Sequence, residues 1–148
     1  MKEKISPEEY NKIIKCLKLD EISLIETSFK KNVITTKGGT ISLKIKERYT
    51  LEDKEKSVIF YPFFSIEGVV ENEDNVDKEQ LFILKLKFAS VYSKNEKIEV
   101  KEDFLLIFKE ISLSNVMWPY FREMTQNIVS RGNLPPITLP LKKTFNSK

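Results

Sequence analysis

Apolar positions recur along this chain with two different periods, and the order in which the periods change outlines the fold. Ser6-Pro7-Glu8-Glu9 opens a helix, with Ser6 as cap, Pro7 in the first turn and Glu9 completing a capping box. Tyr10, Ile13, Ile14 and Leu17 then recur at i, i+3, i+4 and i+7, so a short helix over 6–18 presents one apolar stripe and must dock on something. From Glu21 the period drops to two, and Ile22, Leu24 and Glu26 alternate with Ser23, Ile25 and Thr27 as in a strand. Lys37-Gly38-Gly39-Thr40 reads as a turn, because glycine accepts the positive φ of tight hairpins. Beyond it, Ile41, Leu43, Ile45 and Tyr49 alternate with Ser42, Lys44, Lys46 and Arg48 in a second strand. A charged turn over 51–56 leads to a third strand over 57–70, and an acidic turn over 71–79 leads to a fourth over 80–92. Pro62 lacks a ladder donor, which predicts an edge position or a bulge there. Helical periodicity returns at Phe104, Ile107, Phe108 and Ile111, with Asp103 as the expected cap. Ser112–Asn115 reads as a break. A further helix beginning near Trp118-Pro119 carries Met117, Phe121, Met124 and Ile128 and ends at Arg131-Gly132. Pro135, Pro136 and Pro140 make the tail over 133–148 extended.

Strands first and helices afterwards predict an α+β fold: a four-stranded antiparallel sheet over 20–94, in meander order, with helices over 102–132 on one face. The whole chain, 1–148, reads as a single domain. Such a sheet has a difficulty. Ile59, Phe60, Tyr61, Phe63, Phe64 and Ile66 cannot all point to one side, because successive side chains alternate. Leu81 and Ile83 likewise oppose Phe82 and Leu84. Either a bulge at Pro62 turns both sets inward, or the surplus is shared with a sister subunit or another polypeptide, since a monomer would expose a large apolar patch.

Composition narrows the chemistry. The chain carries 25 basic and 22 acidic residues, a net charge of +3, with the signs interspersed, so nothing marks a nucleic-acid tail. It has no His and one Cys, Cys16, which removes the usual zinc sites and every nucleophile that relies on histidine. No glycine-rich phosphate loop or metal-ligand spacing is present, and Glu102-Asp103 is the best that an enzyme reading can offer. A non-enzyme without cofactor or metal is expected. The absence of a secretory leader and of any long apolar run points to a cytoplasmic protein that does not enter the membrane. Ten Phe, five Tyr and one Trp are an aromatic load suited to a core and to contact surfaces alike.

The stretch Asn115-Val-Met-Trp-Pro-Tyr-Phe-Arg-Glu123, followed by Val129-Ser-Arg131 and Leu134-Pro-Pro-Ile-Thr-Leu-Pro140, resembles the SecB family of protein-export chaperones. In that family an aromatic-Pro-Tyr-x-Arg-Glu segment opens the long helix, matched here by Trp118, Pro119, Tyr120, Arg122 and Glu123, with Arg131 following. The resemblance implies a homo-oligomer, a dimer of dimers in which these residues serve the oligomer interface. It also implies grooves that hold unfolded or nascent polypeptides without ATP, among them preproteins for Sec-dependent export. Candidate client contacts are Ile59, Tyr61, Phe63, Phe64, Leu81 and Ile83. Two departures stand out: the charge is positive, and the residues after Pro140 hold no counterpart of the family's C-terminal helix and acidic tail. Holding therefore carries over better than handover to the SecA motor. A dedicated SecB-like chaperone for one partner, such as the antitoxin of a toxin–antitoxin system, is the alternative.

Overall fold

At the N-terminus the predicted Ser6 cap forms. In a computed structural model, which describes residues 5–32, 40–71, 78–134, 137 and 139, α1 spans Pro7–Cys16. The Ser6 hydroxyl accepts the Glu9 N–H at 3.2 Å. The chain then passes directly into β1 (Leu17–Lys31), followed by β2 (Thr40–Asp53), β3 (Ser57–Glu71) and β4 (Lys78–Lys94). The expected turns at Lys37-Gly38-Gly39 and within 72–77 lie outside the described residues, as does most of the tail over 133–148.

All pairings are antiparallel, but the strand order is β1-β4-β3-β2 rather than the simple meander expected. The strands β2, β3 and β4 do follow one another as neighbours; β1 crosses over to pair with β4. Polarity accounts for this. Lys44, Lys46 and Arg48 make β2 a strand that tolerates an open edge, whereas β4 is apolar enough to gain from a neighbour on each side.

Pro62 lies in a central strand, and no bulge occurs there. Phe60 pairs with Ser90 and Phe63 with Lys87 in one unbroken register, and the β4 partners lapse only across Tyr61 and Pro62. Bulges fall elsewhere: twice in β1, between Leu19 and Glu21 and between Leu24 and Glu26, and once where β3 meets β4 between Gly68 and Val69. The second bulge in β1 shifts the phase of the strand. Ile22 and Leu24 therefore share a face with Thr27 and Phe29, not with Glu26.

The helical region is also more continuous than its periodicity suggests. α2 (Glu102–Phe108) runs through one π-helical turn, Lys109–Leu113, into α3 (Ser114–Arg131) without the break expected at Ser112–Asn115. Pro119 is consequently inside α3 rather than at its start. The π turn adds a residue and rotates the apolar stripe. Ile111 is left 61% exposed, while Met117, Trp118, Phe121, Thr125 and Val129 are buried. Asp103 does not cap; its carboxylate accepts the N–H of the adjacent Phe104, and the Lys101 carbonyl takes the N–H groups of Phe104 and Leu105.

The helices cover one face of the sheet, and the core lies between. Phe64 stacks on Phe121 with centroids 4.5 Å apart and meets Trp118 edge-on at 6.0 Å. Phe60 packs against Phe108 at 5.0 Å, and α1 docks by stacking Tyr10 on Phe104, also at 5.0 Å. A buried clamp closes one end of the sheet. The Lys94 ammonium contacts Asp53 at 2.5 Å and the carbonyls of Lys54 and Ile98 at 2.6 Å each, which employs all three of its N–H donors.

Candidate functional site

Along β3, residues from Ser57 to Gly68 alternate strictly between half-buried and buried. The buried set (Val58, Phe60, Pro62, Phe64, Ile66) faces the helices, and the half-buried set faces away, where no element of the described residues lies. Ile59, Tyr61 and Phe63 therefore form an apolar row along the middle of the open face, while Ile83 on β4, opposite Glu67, shares the face but lies beyond Ser65 and Lys85. Three of the six predicted contact residues thus come together.

Phe64 and Leu81 do not join them. Phe64 is fully buried under Trp118 and Phe121, because its place in the alternation assigns it to the helix side. Leu81 falls where the β3–β4 register slips and belongs to the core cluster at 9% exposure.

The open row does not meet water bare. The Arg48 guanidinium lies 4.8 Å from the centroid of the Phe63 ring, and the Lys87 ammonium lies 5.3 Å from that of Tyr61. Cations over ring faces gain electrostatically while their stems cover apolar surface. The Tyr61 hydroxyl donates to Glu52 at 2.8 Å, and that hydrogen bond is the first cause of its raised pKa.

A second apolar surface lies outside the predicted set. β1 is an edge strand, paired only with β4, so its outer row of N–H and C=O groups has no strand partner among the described residues. Leu19, Leu24 and Ile25 along it are 40%, 38% and 49% exposed. Leu24 lies opposite Phe88, which meets the 41% exposed Tyr120 of α3 at 6.1 Å, so strand edge and helix together border an open apolar shelf. The signal for it in the chain is Leu24-Ile25, an apolar pair that no strand can place on one face without a bulge.

The remaining motif residues divide by depth. Trp118 is 1% exposed and part of the core of its own chain. Pro119, Glu123 and Arg131 are exposed. Arg122 acts locally, since its Nε donates to the carbonyl of Leu139 at 3.0 Å and so holds that buried tail residue against α3. Cys16 is buried, and burial, followed by the nearby Glu96 carboxylate, raises its pKa and keeps it a thiol. Among the described residues no three His, Cys, Asp or Glu side chains converge as metal ligands. No described helix is long and apolar enough to cross a membrane.

No family model matches the chain. In sequence it is similar to the protein-export protein SecB of Ehrlichia chaffeensis, with 23% identity over 116 residues that make up 73% of this chain and 64% of that protein. The chain thus spans under two thirds of that relative's length. In structure it is similar to a SecB-like chaperone of Mycobacterium tuberculosis, solved in complex with a ChAD peptide from the HigA1 antitoxin. That likeness has a TM-score of 0.75 at 13% identity and covers 93% of this chain and 99% of the other.

Proposed function

We propose that this chain, SecB-like in fold and similar in sequence to a SecB export protein, is a cytoplasmic holdase that retains unfolded polypeptides without ATP or catalysis. The observation that carries this reading is the edge of β1, where a ladder unpaired among the described residues and exposed Leu19, Leu24 and Ile25 occur together. An extended polypeptide can add to such an edge, its backbone supplying the missing hydrogen bonds and alternate side chains meeting the apolar shelf. Backbone pairing is indifferent to sequence, as a holdase requires. Because only the unfolded state offers a free backbone, mass action draws clients away from folding while edges remain vacant. An oligomer, a dimer of dimers by resemblance, would present several edges to one client, and linked weak contacts would then retain it. The half-covered row at Ile59, Tyr61 and Phe63, with Ile83 farther along the same face, offers further contact area.

A second reading has its own support. The structural relative was solved with an antitoxin peptide, and the net charge of +3 departs from the acidic character that engages SecA. A dedicated chaperone of one antitoxin would use the same edge.

The test is aggregation of a chemically unfolded client, followed by light scattering at near-stoichiometric protein without nucleotide. Suppression is expected, and it should weaken in Leu24→Lys/Ile25→Lys. Failure to suppress at several-fold excess would refute the holdase reading. Normal suppression by the double variant with an altered oligomeric mass would make the β1 edge a subunit interface instead.

A further inference from the structure

The strand registers arrange the open face as a grid. One row across β2, β3, β4 and β1 reads Lys46, Ser65, Lys85, Ser28, and the next reads Arg48, Phe63, Lys87, Glu26. Four cations therefore surround Ser65 and Phe63. With about 3.4 Å per residue and 4.8 Å per strand, they stand at the corners of a rectangle of roughly 7 by 10 Å. None of the four makes an ion pair within 4 Å among the described residues. Lys46, Arg48 and Lys85 are exposed.

The patch is bounded. Glu52 and Glu21 close the row at Ile59 on one side, whereas the row beyond Lys46 and Lys85 reads Lys44, Glu67, Ile83, Lys30 and so mixes both signs, and Glu26 stands beside Lys87. Inside it, Arg48 and Lys87 are already oriented by Phe63 and Tyr61. Two features follow for a ligand. It must be anionic over a short length, since Glu52 and Glu21 close one end and Glu67 and Glu26 interrupt the cations elsewhere. It must also tolerate aromatic neighbours. A spacing of about 7 Å along a strand equals that between alternate side chains of an extended polypeptide.

We infer that the open face of the sheet, at Lys46, Arg48, Lys85 and Lys87 around Phe63, binds a short acidic segment of an extended polypeptide, two or more Asp or Glu in alternation beside an apolar side chain. A nucleic-acid strand fits less well, because a continuous run of phosphates would meet Glu26 beside Lys87, Glu67 beside Lys44, and Glu52 and Glu21 at one end. This surface is separate from the β1 edge. The inference rests on the holdase reading only in taking a polypeptide as the ligand. It implies that clients are selected by charge at this face and held without selection at the edge.

The test uses the full chain and a fluorescent peptide of alternating Glu and Ser with one Leu, too polar to aggregate, in anisotropy titrations at low and high salt. Binding is expected to weaken strongly with salt. It should weaken about tenfold in Lys46→Gln/Lys85→Gln, two exposed positions whose loss removes two ion pairs. The same variant should suppress aggregation of a client poor in acidic residues as well as the parent does. No binding of the acidic peptide, equal binding by the variant, or tighter binding of a single-stranded oligonucleotide of equal charge would each overturn the inference. Peptide binding without any aggregation suppression would leave this site standing and remove the holdase reading.

Discussion

Phe63 and Phe64 are neighbours of one type, and the pleat gives them opposite roles. Phe64 is sealed between α3 and the sheet, whereas Phe63 is half-buried beneath Arg48. Truncation should separate them. Phe64→Ala is expected to cost about 3–5 kcal/mol of stability, as large-to-small changes in a packed core do. Phe63→Ala should cost about 1 kcal/mol or less; equal losses in chemical denaturation would contradict this division of the faces. The clamp on Lys94 sets a second expectation. Its side chain is 2% exposed, and Asp53 is its carboxylate partner while also accepting the Val100 N–H. Asp53→Ala would strand a buried ammonium and should cost about 3–5 kcal/mol, whereas replacing the exposed Glu52 near Lys54 should scarcely register. Neither role is legible in the chain, where Asp53 and Lys94 are ordinary members of charged turns.

Among the elements, the π turn at Lys109–Leu113 has the largest structural consequence, because it takes up an extra residue and so keeps α3 facing the sheet. The buried stripe Phe104, Phe108, Leu113, Met117 and Phe121 steps by five residues only across this turn, so removing one residue there would give a regular α-helix whose two halves still face the sheet. Deleting Ile111, a 61% exposed residue of the turn, should therefore be tolerated in thermal melts, whereas deleting Val116 inside the regular helix should swing Trp118 and Phe121 by about 100° and destabilise the protein severely. Matching losses for the two changes would mean that the turn has no such role. The bulges of β1 act in the same way on a strand. By shifting phase at Ile25 they put Leu24 and Phe29 on the helix side and leave the edge apolar. Two helices broken at Ser112–Asn115 and a strand with strict alternation are the readings the sequence supports; one extra residue in the π turn joins the helices, and two inserted residues shift the phase of β1.

For the molecule as a whole, the strand order leaves two apolar surfaces incompletely covered by the chain's own described residues, the β1 edge and the central row of the open face. Light scattering should therefore report a mass above the 17.4 kDa of one chain. A monodisperse monomer at micromolar concentration would mean that these surfaces stay wet. The N-terminal helix, the four strands, the helical character of 102–131, the α+β class and the apolar excess in β3 follow from the sequence, because periodicity and capping are local properties of neighbouring residues. The SecB-like motif around Trp118 is local in the same sense. Other features required the assembled structure: β1 beside β4, Pro62 accommodated in a central strand, Phe64 and Leu81 in the core, and the four cations gathered around Phe63. Each depends on which strand lies next to which, and on single-residue slips in register. Those are settled by burial of one layer against another, a long-range energy that no window along the chain contains.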